Sequence, residues 1–183
     1  MKKLIKISPM FLILAFLAGC EKIKDLTNVE FDTDMSTDLN INVADASSKS
    51  SLLSYSFSDA STLDPLEDSE VKKYKEKIED YDVNSLTATV ISVSKPEVAL
   101  LEGTYFQVFD SKDTATWTLD APFYVVSDAV YTLDNTNGNW DKVRKILKRN
   151  SVFTVAAAGE SSTDNVTIVF EVSIGATVTA NPL

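Results

Sequence analysis

Val166, Ile168, Phe170, Val172 and Ile174 recur at every second position of the segment that ends at Val178. A period of two lines five apolar side chains along one face of an extended strand, and such a face needs a second layer to keep it from water. The same alternation returns at Leu39, Ile41 and Val43, at Leu53, Tyr55 and Phe57, and at Leu86, Ala88 and Val90. Residues 100–109, 114–119, 123–133 and 152–158 read as further strands. The first two runs flank the Ser-rich stretch Asp45 to Ser51 and are expected to form a β-hairpin. Ile91 and Val93 switch face relative to Leu86, Ala88 and Val90, which predicts a bulge or strong twist before Lys95-Pro96. Pro122 marks an edge strand or the turn before it.

Two segments carry helical spacing instead. Asp64 can cap, Pro65 suits the first helical position and Glu67 completes a capping box. Val71, Tyr74, Ile78 and Tyr81 then follow at intervals of three and four, with Lys72, Lys73, Lys75, Glu76, Lys77, Glu79 and Asp80 on the other face. That pattern predicts one amphipathic helix reaching Tyr81. The turn Asn135-Thr136-Asn137-Gly138-Asn139 can open a second helix over Trp140 to Arg149. Trp140, Val143, Ile146 and Leu147 face inward there, and Lys142, Arg144, Lys145, Lys148 and Arg149 face outward. The expected fold is mainly β: a β-sandwich, immunoglobulin-like or related, with two amphipathic helices closing its ends or edges. The alternative is an α+β arrangement with both helices on one face of an antiparallel sheet. Ser58 to Asp64 before the first helix echoes Ser127 to Asp134 before the second, read either as an internal ββαββ repeat or as shared turn chemistry.

The N-terminus has a separate character. Lys2, Lys3 and Lys6 precede the apolar run Met10 to Ala18, which is too short to span a bilayer. Leu17-Ala18-Gly19-Cys20 follows, with the only cysteine in the chain, and resembles the bacterial lipobox. The expected organisation is a signal peptide over 1–19, a lipidated Cys20 with a polar tether over 20–37, and one β-rich domain over 38–183. Cleavage before Cys20 leaves 14 basic against 27 acidic residues, a net charge of −13. That balance argues against nucleic acid and against electrostatic docking on an anionic membrane, so the expected attachment is the lipid itself.

The chain has no histidine, which excludes Ser-His-Asp, Cys-His and His-based metal chemistry. Asp32, Asp34 and Asp38 are spaced like calcium ligands but lack the glycine and bidentate glutamate of an EF-hand, and read as solvated acids. Asp134-Asn135-Thr136-Asn137-Gly138 with Asp141 is a second oxygen cluster, explained more simply as a capping turn. Ser69 with Lys72 and Ser92 with Lys95 match S-x-x-K without its companion motifs, so they read as surface serines. Paired carboxylates could hydrolyse a glycoside without histidine, given two acids converging in a cleft. The basic face Lys142, Arg144, Lys145, Lys148 and Arg149 is a candidate for docking an acidic partner or anionic lipid headgroups, and is explained more simply as a solvated helix face. Trp117, Phe123, Tyr124 and Tyr131 are candidates for a carbohydrate platform if exposed. No metal and no cofactor is called for.

The lipobox, the polar tether, the Asp-Pro opened Lys/Glu helix, the strand Val83 to Val90 and the closing Val-Thr strand together resemble uncharacterised lipoproteins of the Bacteroidota. The resemblance implies a cell-envelope, outer-membrane location and no particular activity. It also implies an O-glycosylation acceptor at Thr114 within Asp113-Thr114-Ala115. The mixed charges of Cys20-Glu21-Lys22-Ile23-Lys24-Asp25 leave open whether the protein faces the periplasm or the medium. The expected function is a non-enzymatic binding or accessory module for another envelope protein. The alternatives are a carbohydrate-binding lipoprotein of an uptake system and a carboxylate-dependent hydrolase.

Overall fold

The computed structural model describes residues 28–45 and 54–183. Strands β1 (Val29–Val43) and β2 (Tyr55–Leu63) lead to a 3-10 turn (Pro65–Glu67) and the short helix α1 (Ser69–Tyr74). Six strands follow: β3 (Ile78–Val93), β4 (Val98–Leu100), β5 (Tyr105–Phe109), β6 (Thr114–Thr118), β7 (Phe123–Val125) and β8 (Val130–Thr132). A second 3-10 turn (Thr136–Gly138) opens α2 (Asn139–Leu147), and β9 (Phe153–Ser161) and β10 (Val166–Ala180) complete the fold.

The strands form two antiparallel sheets. Sheet A runs β1-β10-β3-β8. In sheet B, β9 pairs with β2 on one edge and with β5 and β4 on the other, while β6 pairs with β5 and β7 with β4. Their inner faces hold one core, as the β-sandwich expectation requires. β1 neighbours β10 rather than β2, so the order is not that of an immunoglobulin domain, whose first two strands are adjacent. Phe106 of β5, Phe123 of β7, Tyr131 of β8 and Phe170 of β10 meet across the interior at ring separations of 5.5–6.5 Å, joining the two sheets. Val143, Ile146 and Leu147 of α2 are fully buried.

The ββαββ echo has a counterpart in the pairing order. Exchanging β1 with β7, β2 with β8, β3 with β9 and β4 with β10 converts sheet A into β7-β4-β9-β2, which is sheet B without the β5–β6 hairpin. The local chemistry matches as well. Leu63 and Leu133 are both buried, and the Asp64 and Asp134 carboxylates each accept the backbone N–H two residues on, at 2.9 Å, before a 3-10 turn.

Several expectations are corrected. The helix expected to reach Tyr81 stops at Tyr74, and Ile78 and Tyr81 belong to β3. Tyr81 and Val83 are buried at strand spacing, and the Tyr81 hydroxyl donates to the Asn150 side chain. Helical and strand periods overlap at this point, and pairing with β10 decides between them. Helix α1 starts at a second cap, Asp68, whose carboxylate accepts from the N–H groups of Glu70 and Val71. β1 and β2 are not a hairpin, because β1 pairs with β10 and β2 with β9. They meet without a strand ladder, Thr37 bonding Ser61 side chain to side chain at 2.7 Å and the backbone N–H of Asn40 donating to the Asp59 carboxylate at 2.6 Å. The tether expected to continue to residue 37 yields to β1 from Val29 onward. Thr33 hides that alternation in the sequence: it is buried, and its hydroxyl donates to Asp68. The single strands expected over 100–109 and 123–133 are each broken in two, at Gly103 and Asp128, both in the left-handed region. The expected bulge is present, with Ile91 unpaired between Val90 and Ser92, and Asn84 and Glu79 are skipped in the same way lower on β3.

Candidate functional site

The basic residues of α2 are mostly committed within the chain. Arg144 and Lys148 both bind the Asp80 carboxylate at the start of β3. Arg149 bridges Asp110 and Asp113 in the β5–β6 turn. The Arg144 bond holds the Asp80 carboxyl below its ordinary range, and Arg149 does the same to Asp110 more strongly. Lys142 donates to Asn139. The expected docking face is thus largely a clamp that ties α2 to both sheets, and Lys142 and Lys145 are the members without an ion pair among the described residues. Sequence spacing had no access to this, because the acids lie 36–68 residues away.

The aromatic platform expected from Trp117, Phe123, Tyr124 and Tyr131 does not assemble. Trp117 is in the core, its indole N–H donating to the Asp134 carbonyl, and Phe123 and Tyr131, both half-buried, belong to the inter-sheet ring cluster. Trp140 is partly buried and donates to the Leu133 carbonyl. Tyr124 alone stands out, 72% exposed.

A polar cleft of about 280 Å³ lies between the edge strands β6 and β8 and includes Asp120, Tyr131, Thr132, Asp134 and Asn139. Much of its polar lining is spent on closing the seam between the sheets. The Asn139 amide bonds both the N–H and the C=O of Thr116, as a neighbouring strand would. Burial, with the charges of Asp120 and Asp134, raises the Tyr131 phenol. Hydrogen bonds from Thr136 lower the Asp134 carboxyl, the opposite of what a glycosidase general acid requires.

The remaining candidates are scattered. Asp32, Asp34 and Asp38 project from the outer face of β1 at successive or alternate outward positions, and no group of three potential metal-ligating side chains gathers among the described residues. Asp134 and Asn135 cap the turn and helix α2 through the N–H groups of Thr136 and Trp140. Lys95 reaches the Asp164 carbonyl in the β9–β10 turn. Thr114 is exposed at the start of β6. Cys20 and the segment 1–19 expected to be a signal peptide lie outside the described residues.

The least expected surface is the outer face of sheet B. Register places three rows across it: Ser58, Ala158, Tyr105 and Thr118; Ala60, Ala156, Gln107 and Thr116; Thr62, Thr154, Phe109 and Thr114. None of the twelve is charged. Alanines between the β5 rings and β2 leave a shallow trough of about 370 Å³, lined by Tyr105, Gln107, Phe109, Ala156, Ala158 and, on β2, Ser58, Asp59 and Ala60; the Asp59 carboxylate accepts from the Asn40 N–H of β1. Helix α1 packs against β1, and α2 against β3, β6 and, less extensively, β5, and no residue of either helix lines the trough. The signal for this site was present in Tyr105-Phe106-Gln107-Val108-Phe109. Both faces of that pentapeptide are apolar enough to be the core, however, and alternation alone does not say which one turns outward.

No protein-family model matches the chain, and no curated protein matches it. Among solved structures, one of Desmodium yellow mottle tymovirus matches with a TM-score of 0.33 and 10% identity over 85% of this chain and 82% of its own. One of turnip yellow mosaic virus matches with a TM-score of 0.32 and 11% identity over 83% of this chain and 93% of its own. Likeness at that level carries no argument about fold or function.

Proposed function

We propose that this chain is a lipid-anchored, non-enzymatic binding module of the cell envelope, and that the outer face of sheet B is its contact surface. The observation that carries the reading is the segregation of charge. Sheet A strands hold eight acidic residues (Glu30, Asp32, Asp34, Asp38, Glu79, Asp80, Asp82 and Glu171), whereas sheet B strands hold two, Asp59 and Glu160. A face open to water whose outward strand positions carry a single charge, Glu160 at one end, is on so acidic a protein where a partner loses least by displacing solvent. The non-enzymatic part is supported by the carboxyls with displaced titration, Asp68, Asp80, Asp110 and Asp134, all of which are lowered and held as anions. Because β1 begins at Val29, residues 21–28 reach at most ~30 Å when fully extended. The module would stand close to its membrane.

A second reading, docking of another envelope protein on the β7–β8 crossover, is favoured by the exposure of Tyr124, Val126 and Val130 within seven residues. Photo-crosslinking residues placed at Gln107, Val126 and Glu171 in intact cells separate the two. Crosslinks concentrated at Gln107 are expected, crosslinks at Val126 alone move the contact to the crossover, and labelling at Glu171 alone removes the sheet B reading. Cys20→Ala is expected to shift the protein from the membrane to the soluble fraction. Retention in the membrane would remove the lipid anchor from the proposal.

A further inference from the structure

Resting on that reading of sheet B, we infer that the trough takes a neutral oligosaccharide, held by Tyr105 and Phe109 with Gln107 between them. Tyr105 and Phe109 are four residues apart on one strand face, which separates their Cα atoms by ~14 Å at 3.4 Å per residue. That span exceeds one pyranose ring and calls for a chain of sugars with two ring-stacked positions. A pyranose offers an apolar C–H face and a rim of hydroxyls. The two aromatic rings suit the face, and the Gln107 amide, the Tyr105 hydroxyl and the Ser58 hydroxyl suit the rim. Gln107 spends one N–H on Thr116 at 3.1 Å, leaving its carbonyl oxygen and second N–H for a ligand. Ala156 and Ala158 keep the floor low enough for a sugar to lie between the rings and β2.

Charge and composition both favour this occupant over others. The rows carry no charge with which to hold an ionic ligand, and a net charge of −13 on the exported chain repels an anionic polymer. Alanine and serine are depleted in protein interfaces, and serine and threonine are scarce among their hot spots. The rows of this face consist mainly of those three residues. Paired strands hold the trough in shape before binding, so little ordering cost falls on the protein.

The test uses the full lipidated chain in a zwitterionic, sugar-free detergent, titrated calorimetrically with cellohexaose, maltohexaose and mannohexaose, and with hexagalacturonate as the anionic control. At least one neutral hexasaccharide is expected to bind, and hexagalacturonate is not. Tyr105→Ala and Phe109→Ala should each weaken binding tenfold or more, and Ala156→Glu should abolish it. Asp32→Asn with Asp34→Asn on sheet A should leave it unchanged. Urea midpoints of the variants separate lost binding from lost folding, and Tyr105→Phe, which keeps the ring, should bind better than Tyr105→Ala. Binding to none of the neutral probes, or binding indifferent to Tyr105→Ala, overturns the inference. If the sugars fail while crosslinks at Gln107 capture a protein, sheet B remains the contact face and only the sugar falls. If both fail, the contact face falls too.

Discussion

The two sheets treat their inner faces alike and their outer faces differently. Inward, both present large apolar side chains, Phe170, Ile168 and Leu39 from sheet A and Phe106, Phe153 and Leu100 from sheet B. Outward, β1 exposes Glu30, Asp32, Asp34 and Asp38, and register sets Asp38 directly opposite Glu171. Sheet B turns out alanine, serine, threonine, Gln107, one acid, Glu160, and three aromatic rings, Tyr105, Phe109 and Tyr124. Like charges opposed across a strand pair cost stability, so sheet A tolerates a penalty on the face where it gains solubility. Sheet B gives up that solvation, which is the usual condition of a surface made for contact.

The largest effect that bears on this contrast compares two phenylalanines of β5. Phe106→Ala removes a ring from the inter-sheet cluster and is expected to cost about 3–5 kcal/mol in urea unfolding. Phe109→Ala, on the outer face, should cost about 1 kcal/mol or less by the area it covers. Equal costs would mean that β5 has no free face.

Next come two glycines, one in each sheet. A Cβ at Gly159 would stand 2.6 Å from the Thr104 backbone, where the chain turns between β4 and β5. The atoms nearest a Cβ at Gly175 would be the Ser85 hydroxyl and the Asp34 carboxylate, side-chain groups that can move. Gly159→Ala should destabilise by about 2–3 kcal/mol, as overpacking does, and Gly175→Ala by less than half of that. The reverse order in thermal unfolding would contradict the strand placement at the β4–β5 break.

The clamp from α2 gives a smaller effect with a pH signature. The Asp110 carboxyl is lowered in the folded state, so its contribution is complete above the unfolded value near 3.9 and drains away as pH falls below it. Arg149→Ala is expected to cost about 1.5–3 kcal/mol near neutrality, the range for hydrogen bonds to charged groups. Asp110→Asn should flatten the loss of stability between pH 4 and 2.5, measured by urea midpoints. A slope unchanged by Asp110→Asn would assign the acid sensitivity to other carboxylates.

The smallest effect tests sheet A directly. Asp38→Lys replaces the repulsion from Glu171 with attraction and is expected to add about 0.2–1 kcal/mol, shrinking as salt is raised. Destabilisation would show that the acidic face is built on contacts other than simple charge.

Much of the fold was legible residue by residue. The alternation from Val166 to Ile174, the bulge at Ile91, the turn chemistry of Asp64 and Asp134, and the inward set of α2 follow from local geometry. The helix that overran to Tyr81 failed where spacings of three and four coincide with a strand about to begin. The candidate site was legible only in part. Tyr105, Gln107 and Phe109 share a face by parity, but Phe106 and Val108 are equally plausible as the core face until β9 and β10 are in place. The basic residues of α2 looked free because their acids are distant in sequence.

By itself the sequence determined the alternation of most strands, the start of α2 and the acidic charge balance. Only the tertiary structure decided that β1 lies beside β10, that the arginines of α2 are clamps, and that Tyr105 and Phe109 face water. The reason is that strand pairing joins segments more than a hundred residues apart. Which side of a two-faced strand becomes core depends on what the rest of the chain brings to cover it.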